Sequence, residues 1–181
     1  MNVGVVSNLI DTYSSMLISA SKTPPYSDVG KILEKFSDEV SCLVEVEGEV
    51  LFYFNDCFCN KNWFNYDLWF IVAIEHPSQK YIEYLLKILD ESDVEAIQWK
   101  ALDVLANMPE SISESAVSSL IKLIQSKNHV WSDEVIKKFF ETLVFIGSDA
   151  GISFISKACE LQNQRINIAA RYWFERLSEE E

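Results

Sequence analysis

Tyr84-Leu85-Leu86-Lys87-Ile88-Leu89 is answered 35 residues later by Ser119-Leu120-Ile121-Lys122-Leu123-Ile124, and after another 35 by Phe154-Ile155-Ser156-Lys157-Ala158-Cys159. Each hexamer sets one lysine among apolar residues. That pattern suits a helix with one buried face, the lysine stem lying over its edge and the ammonium in water. Lys87, Lys122 and Lys157 therefore read as solvated flanks. A fixed period of this length is the signature of a helical repeat.

Between these helices lie others with apolar residues at i, i+3 and i+4. Val94, Ile97, Ala101, Val104 and Leu105 form one stripe. Val135, Ile136, Phe139, Phe140, Leu143 and Val144 form a second, and Ile166, Ala169, Ala170, Trp173, Phe174 and Leu177 a third. Start and stop signals agree: Ser78 after Pro77, Ser132 before Asp133 and Glu134, Pro109 between two helices, and Gly147 ahead of Ser148 or Asp149. The predicted order is A (67–76), B (78–90), A (93–107), B (113–126), A (132–146), B (149–160) and A (163–177).

Ile97-Gln98-Trp99-Lys100-Ala101-Leu102 and the passages Gly151 to Ile155 and Asn163 to Ala170 resemble the loop-to-helix junctions of HEAT-like and armadillo-like α-solenoids. The likeness covers residues 67–177. Gln98 and Lys137 stand where those folds more often carry arginine, and Ile97 to Ile136 spans 39 residues rather than 35. The resemblance implies an all-α fold, a HEAT-like α-solenoid of stacked antiparallel helix pairs.

The first third reads less regularly. Val5, Leu9, Tyr13, Met16 and Leu17 share one helical face, which ends before Pro24-Pro25 because paired prolines remove donors and exclude the helical conformation upstream. From Ser27 or Asp28, the positions Val29, Ile32, Leu33, Phe36, Val40, Leu43 and Val44 continue a helix into the mid-40s. Residues 43–54 suit a further helix through Val46, Val50, Leu51 and Phe54. A short β-hairpin fits too, since apolar and acidic residues alternate around Gly48; helix is the preferred reading. Residues 55–66, rich in Asn and Asp, are expected to be a loop. At 181 residues the whole is expected to be one domain, of a size that buries about two thirds of its unfolded surface, with N-terminal helices in 1–60 and repeats in 67–177.

The balance of 28 acidic to 15 basic residues gives a net charge of −13. Such a chain repels phosphate backbones and attracts cationic surfaces, so direct binding of nucleic acid is not expected. The N-terminus has no basic region followed by an apolar core, no lipidation motif stands at either end, and the longest apolar run, Leu68 to Ile74, is too short to span a bilayer. A cytoplasmic protein with reduced Cys42, Cys57, Cys59 and Cys159 is the expectation.

Chemistry-bearing motifs are sparse. Five unclustered glycines exclude a phosphate loop, and Cys57-Phe58-Cys59 with only His76 and His129 lacks the ligands of a zinc site. A Cys59–His76 nucleophile pair has no third group to orient it. No catalytic group, metal or cofactor is therefore expected.

Carboxylates are the remaining signal. Residues 38–49 hold Asp38, Glu39, Glu45, Glu47 and Glu49, and residues 90–95 hold Asp90, Glu91, Asp93 and Glu95, neither stretch containing a base. A paired-carboxylate active site would need one group raised by burial, whereas these alternate with polar positions. Glu179 to Glu181 read as a solvated tail. Trp63, Phe64, Tyr66, Trp69 and Phe70 are dense around the 60s, whereas Trp99 and Trp131 stand near further acids. Trp131, in a polar connection, is the tryptophan expected at the surface. Aromatic anchors among acids suit a protein interface against a basic partner. The residues expected to bind it are Glu45, Glu47, Glu49, Asp56, Asp90, Glu91, Asp93, Glu95, Trp131, Asp133 and Glu134.

In combination, a small acidic solenoid without catalytic groups is similar in character to bacterial immunity proteins, above all those of contact-dependent growth inhibition systems. That resemblance implies a monomer forming a heterodimer with a cationic toxin domain, a nuclease of the RNase type, whose nucleic-acid-binding surface it covers with carboxylates acting as phosphate mimics. The rival expectation is a HEAT-like adaptor that docks a peptide or a cellular protein.

Overall fold

The computed structural model describes residues 4–22, 27–60, 63 and 65–179. Pro24-Pro25, Asn62, Phe64, Glu180 and Glu181 lie outside them. The described residues form ten helices and no strand. By backbone proximity the chain divides into two compact units, residues 1–78 and 79–181.

The first unit holds α1 (Val5–Ala20), α2 (Ser27–Ser41), α3 (Glu47–Asn60) and α4 (Tyr66–Glu75), with α4 packed on the other three and α1 on α2. The face of α1 read from the sequence is buried through Val6, Ile10 and Tyr13, whose ring lies 5.1 Å from that of Phe36. Tyr53 stacks on Trp69 at 4.6 Å, and Phe54 meets Phe70 at 5.8 Å. The helix α4, which periodicity groups with the repeats, thus completes this N-terminal core.

The preferred helical reading of residues 43–54 holds from Glu47 on, in place of the alternative hairpin, and two expectations are corrected, the loop from residue 55 and the reach of α2. The hairpin near residues 43–54 does not form, because Val46, Val50, Tyr53, Phe54 and Cys57 bury one face at helical spacing, while Val44, which an alternating strand would place beside Val46 and Val50, is 84% exposed. The same face carries α3 on to Asn60, so Asn55 and Asp56 sit on a helix and not in a loop. In turn α2 stops at Ser41, short of the mid-40s, and the chain turns through Glu45 at a left-handed φ of 60°.

The second unit holds α5 (Tyr81–Glu91), α6 (Glu95–Asn107), α7 (Glu110–Lys127), α8 (Asp133–Ile146), α9 (Asp149–Ala158) and α10 (Gln164–Glu179). Helices α6, α8 and α10 lie side by side in one layer and α5, α7 and α9 in the other, with α5 on α6, α7 on α8, α8 on α9 and α9 on α10 between layers. This is the arrangement of a helical repeat. Leu85, Ile88, Leu102, Leu120, Phe139, Phe140, Leu143 and Ile155 fill its core, and Lys87, Lys122 and Lys157 are exposed as the repeated hexamer requires. Ser132 and Ser148 accept from the backbone N–H groups of Val135 and Gly151 as N-caps, at 3.2 and 3.1 Å, and Gly147 ends α8 at φ 72°. Ser78 does not cap α5, whose N-cap is Lys80; its hydroxyl donates to the Glu47 carboxylate.

Candidate partner-binding edge

Helices in a two-layer repeat alternate in direction, so the connections running from the α5, α7, α9 layer to the α6, α8, α10 layer gather at one end of the second unit. These are residues 92–94, 128–132 and 159–163. They are cross-braced. The Lys127 ammonium reaches both the carboxylate and the main-chain carbonyl of Asp90, at 2.8 and 2.9 Å. Gln98 donates to the Ser92 carbonyl, and Ser92 Oγ accepts from Val94 N–H at 3.2 Å. Asn163 donates to Asn128 Oδ1 at 2.7 Å, while the Arg165 guanidinium spans the Asn128 carbonyl, the Trp131 carbonyl and the Asp133 carboxylate. Loops pinned in this way are pre-organised, which lowers the ordering cost of any association they make.

This end brings together Asp90, Glu91, Asp93, Glu95, Trp131, Asp133 and Glu134, seven of the residues singled out in the sequence, with different roles. Asp90 is spent on Lys127, Asp133 on Arg165 at 2.6 Å, and Glu134 on Lys137 at 2.8 Å. Glu91, Asp93 and Glu95 are exposed, and among the described residues no cation pairs with them. Each of the three loops also exposes one apolar residue: Val94, Val130 and Leu161. Trp131 is a correction, since it is only 3% exposed, with its ring 6.1 Å from that of Phe139. It immediately precedes the N-cap Ser132, where an apolar residue commonly folds back on the first turns of its helix, and the exposed side chain is that of its neighbour Val130.

The other predicted acids belong to the first unit. Glu49 is structural. Gly4, the residue ahead of α1, supplies no side-chain cap, and the Glu49 carboxylate accepts from the Val6 and Ser7 N–H groups at 3.3 and 3.1 Å and from Ser7 Oγ at 3.2 Å. Glu49→Ala is expected to lower the stability of this unit by about 1–2 kcal/mol, the cost of stranding part-buried donors, as a shift in urea midpoint at unchanged slope. Glu47 receives the Ser78 hydroxyl. Glu45 is exposed at the left-handed turn, and Asp56 is half-buried on α3.

Cys57 is fully buried; burial pushes its thiol up to about 11, with the Asp56 charge adding and the bond to Tyr53 opposing. His76 donates Nε2–H to the Val40 carbonyl at 2.8 Å. Burial, with the Glu39 and Asp38 charges, likewise pushes the Tyr13 hydroxyl up to about 12. Groups held protonated in the fold contribute stability that is complete below their unfolded pKa and is lost as pH rises through the folded one. The N-terminal unit should hold its melting temperature at neutral pH and lose stability between about pH 9 and 12, followed by circular dichroism. In the native protein, iodoacetamide should alkylate exposed Cys42 and Cys59 but spare Cys57 until the unit unfolds. Among the described residues no group of three or more His, Cys, Asp and Glu side chains could hold a metal, and no helix is long and apolar enough to cross a membrane.

A feature the sequence did not disclose lies on the exposed face of the α6, α8, α10 layer. Lys138, 5% exposed, sets its ammonium 2.8 Å from Asp103, 2.6 Å from Glu141 and 4.2 Å from the centre of the Trp99 ring. Burial works to strip its proton, and the bonds to Asp103 and Glu141 outweigh that, holding its pKa above the ordinary lysine value. Asp103 and Lys138 are 35 residues apart in the chain, and the 35-residue repeat was the one signal that could have suggested their pairing. Tyr172 and Ile168 are exposed on α10, one turn apart, beside the stripe read as core. Phe174, assigned to that stripe, is 39% exposed.

Fold and site together define an all-helical repeat protein with a braced, acidic loop edge. Compared with known proteins, the chain matches no family model, no curated protein and no solved structure.

Proposed function

We propose that this chain binds and neutralises a cationic protein in the cytoplasm, in the manner of an immunity protein against a basic nuclease toxin of a contact-dependent growth inhibition system. The observation that carries the reading is the loop edge, where Glu91, Asp93 and Glu95 stand exposed without a cationic partner among the described residues, beside Val94, on loops fixed by Lys127, Gln98 and Ser92. Rigid apolar contacts within a field of carboxylates suit a surface shaped to bind phosphate. Occupying that surface would stop the nuclease without any chemistry by the inhibitor. Electrostatic attraction would speed encounter toward about 10⁸ M⁻¹s⁻¹ at low salt and fade as the screening length shortens to about 8 Å at physiological ionic strength.

An immunity gene lies directly downstream of its toxin gene, which supplies the test. The C-terminal domain of the protein encoded immediately upstream is expressed in a bacterial host with and without this chain. Growth arrest relieved by the chain, with a one-to-one complex on co-purification, supports the reading. Arrest unrelieved and no complex overturn it in favour of an adaptor with a different partner.

A further inference from the structure

The three connections of the loop edge repeat one exposed apolar position. Val130 and Leu161 each stand two residues ahead of an N-cap, Ser132 for α8 and Asn163 for α10, whose side chains accept from the Val135 and Ile166 N–H groups. Each also donates its own N–H three residues back, Val130 to the Lys127 carbonyl at 2.9 Å and Leu161 to the Ala158 carbonyl at 3.2 Å. The two loops are thus built alike, and Asn163 and Arg165 bond one to the other. In the shorter α5–α6 connection the exposed apolar side chain is Val94, which stands at the N-cap of α6.

Neighbouring helices pack with axes about 8–10 Å apart, so α6, α8 and α10 carry these three residues in a row with that step. A partner element that meets all three must offer apolar side chains at the same step on one face. An α-helix does so, because seven residues make two turns and advance about 10.5 Å. A β-strand does not, since its same-face residues fall about 6.6 or 13 Å apart. The charge beside the row selects a cationic helix. Glu91, Asp93 and Glu95 surround Val94 in the chain and Glu160 precedes Leu161, all exposed and outside any ion pair among the described residues.

We propose that the loop edge receives an amphipathic α-helix of the cationic partner, laid across the three loops. Its apolar side chains, one every seventh residue, meet Val94, Val130 and Leu161, and lysines or arginines on its flanks face Glu91, Asp93, Glu95 and Glu160. The proposal rests on the reading of a cationic partner and adds that partner's secondary structure and spacing. Because Lys127, Asn163 and Arg165 brace the loops, the row keeps its step before the helix arrives, which lowers the ordering cost of docking.

Fluorescence anisotropy of labelled synthetic peptides, titrated with the full chain, tests it. The probe is an alanine- and lysine-rich peptide of about 18 residues, long enough to hold a helix, with three leucines seven residues apart. Its control has the same composition with the leucines five residues apart, which scatters them around the helix. The probe should bind at least about tenfold more tightly than the control, and Val130→Asn and Leu161→Asn should each weaken it about tenfold, the factor that losing one buried aliphatic contact brings. Both residues are exposed, so urea midpoints should match the parent's. Equal binding of the two peptides, probe binding unchanged in both variants, or binding of neither peptide would each overturn the proposal. The Glu91→Lys, Asp93→Lys, Glu95→Lys protein reads the charge separately and should weaken both peptides alike. If it does so while leucine spacing has no effect, the helical row fails and the cationic reading stands; if it binds as the parent does while spacing still matters, the cationic reading fails and the row stands.

Discussion

Replacing Asp103 and Glu141 together by alanine is expected to cost the second unit about 3–5 kcal/mol, the penalty for leaving a buried ammonium without a counter-charge. Lys138 is 5% exposed and its Nζ is within 2.8 Å of both carboxylates. Water therefore has little room to replace them. Lys138→Met should cost far less, under about 1.5 kcal/mol, because methionine keeps the packed stem and the two carboxylates are 24% and 27% exposed and can hydrate. Urea unfolding of both proteins at equal slope checks the asymmetry. If the double variant stays within about 1 kcal/mol of the parent, Lys138 reaches solvent and the α6–α8 tie is not electrostatic. Thr142 shares its one hydroxyl proton between the Lys138 carbonyl of α8 at 2.8 Å and the Leu102 carbonyl of α6 at 3.2 Å, a weaker second tie between the same two helices.

Charge reversal at the loop edge, Glu91→Lys with Asp93→Lys and Glu95→Lys, should slow association with a cationic partner by about 10²-fold at low salt, since steering of this kind spans 10 to 10³. The change belongs to the encounter step. Contacts to exposed rim charges contribute mostly to the association rate, so dissociation should move little. All three side chains are exposed and unpaired among the described residues, so stability should shift by no more than about 0.5 kcal/mol. Reversal at Asp90 would confuse the result, because Asp90 also anchors Lys127 and with it the end of α7.

Much of this was legible before the structure. Lys87, Lys122 and Lys157 register the α5, α7, α9 layer because a repeat must place equivalent residues at equivalent depths, and a lysine on a flank shows that depth directly. The acids at 90–95 and at 133–134 were found from charge alone, and the topology then set them at one end of the unit. Trp131 was misjudged because polar sequence neighbours do not report burial: an apolar residue before an N-cap commonly folds back onto its helix even where its neighbours are polar. Asn55 and Asp56 suggested a loop by composition, yet Tyr53, Phe54 and Cys57 extended a buried helical face past them. Glu49 resembled any surface acid, since the α1 terminus it caps lies more than 40 residues away in sequence. Tyr172 and Ile168 were hidden by an α10 that is apolar on two faces, of which only Ile166, Ala169 and Ala170 are buried.

The central claim is that a cationic protein docks on the acidic loop edge of the helical repeat. Stopped-flow association of the full chain with the C-terminal domain encoded upstream, at 50 and 500 mM salt, tests it most directly. The account predicts a complex whose association rate falls at least about tenfold with that rise in salt, and for which the triple lysine variant is slow at both concentrations. A rate independent of salt and unchanged in the variant, or no complex at all, would contradict it.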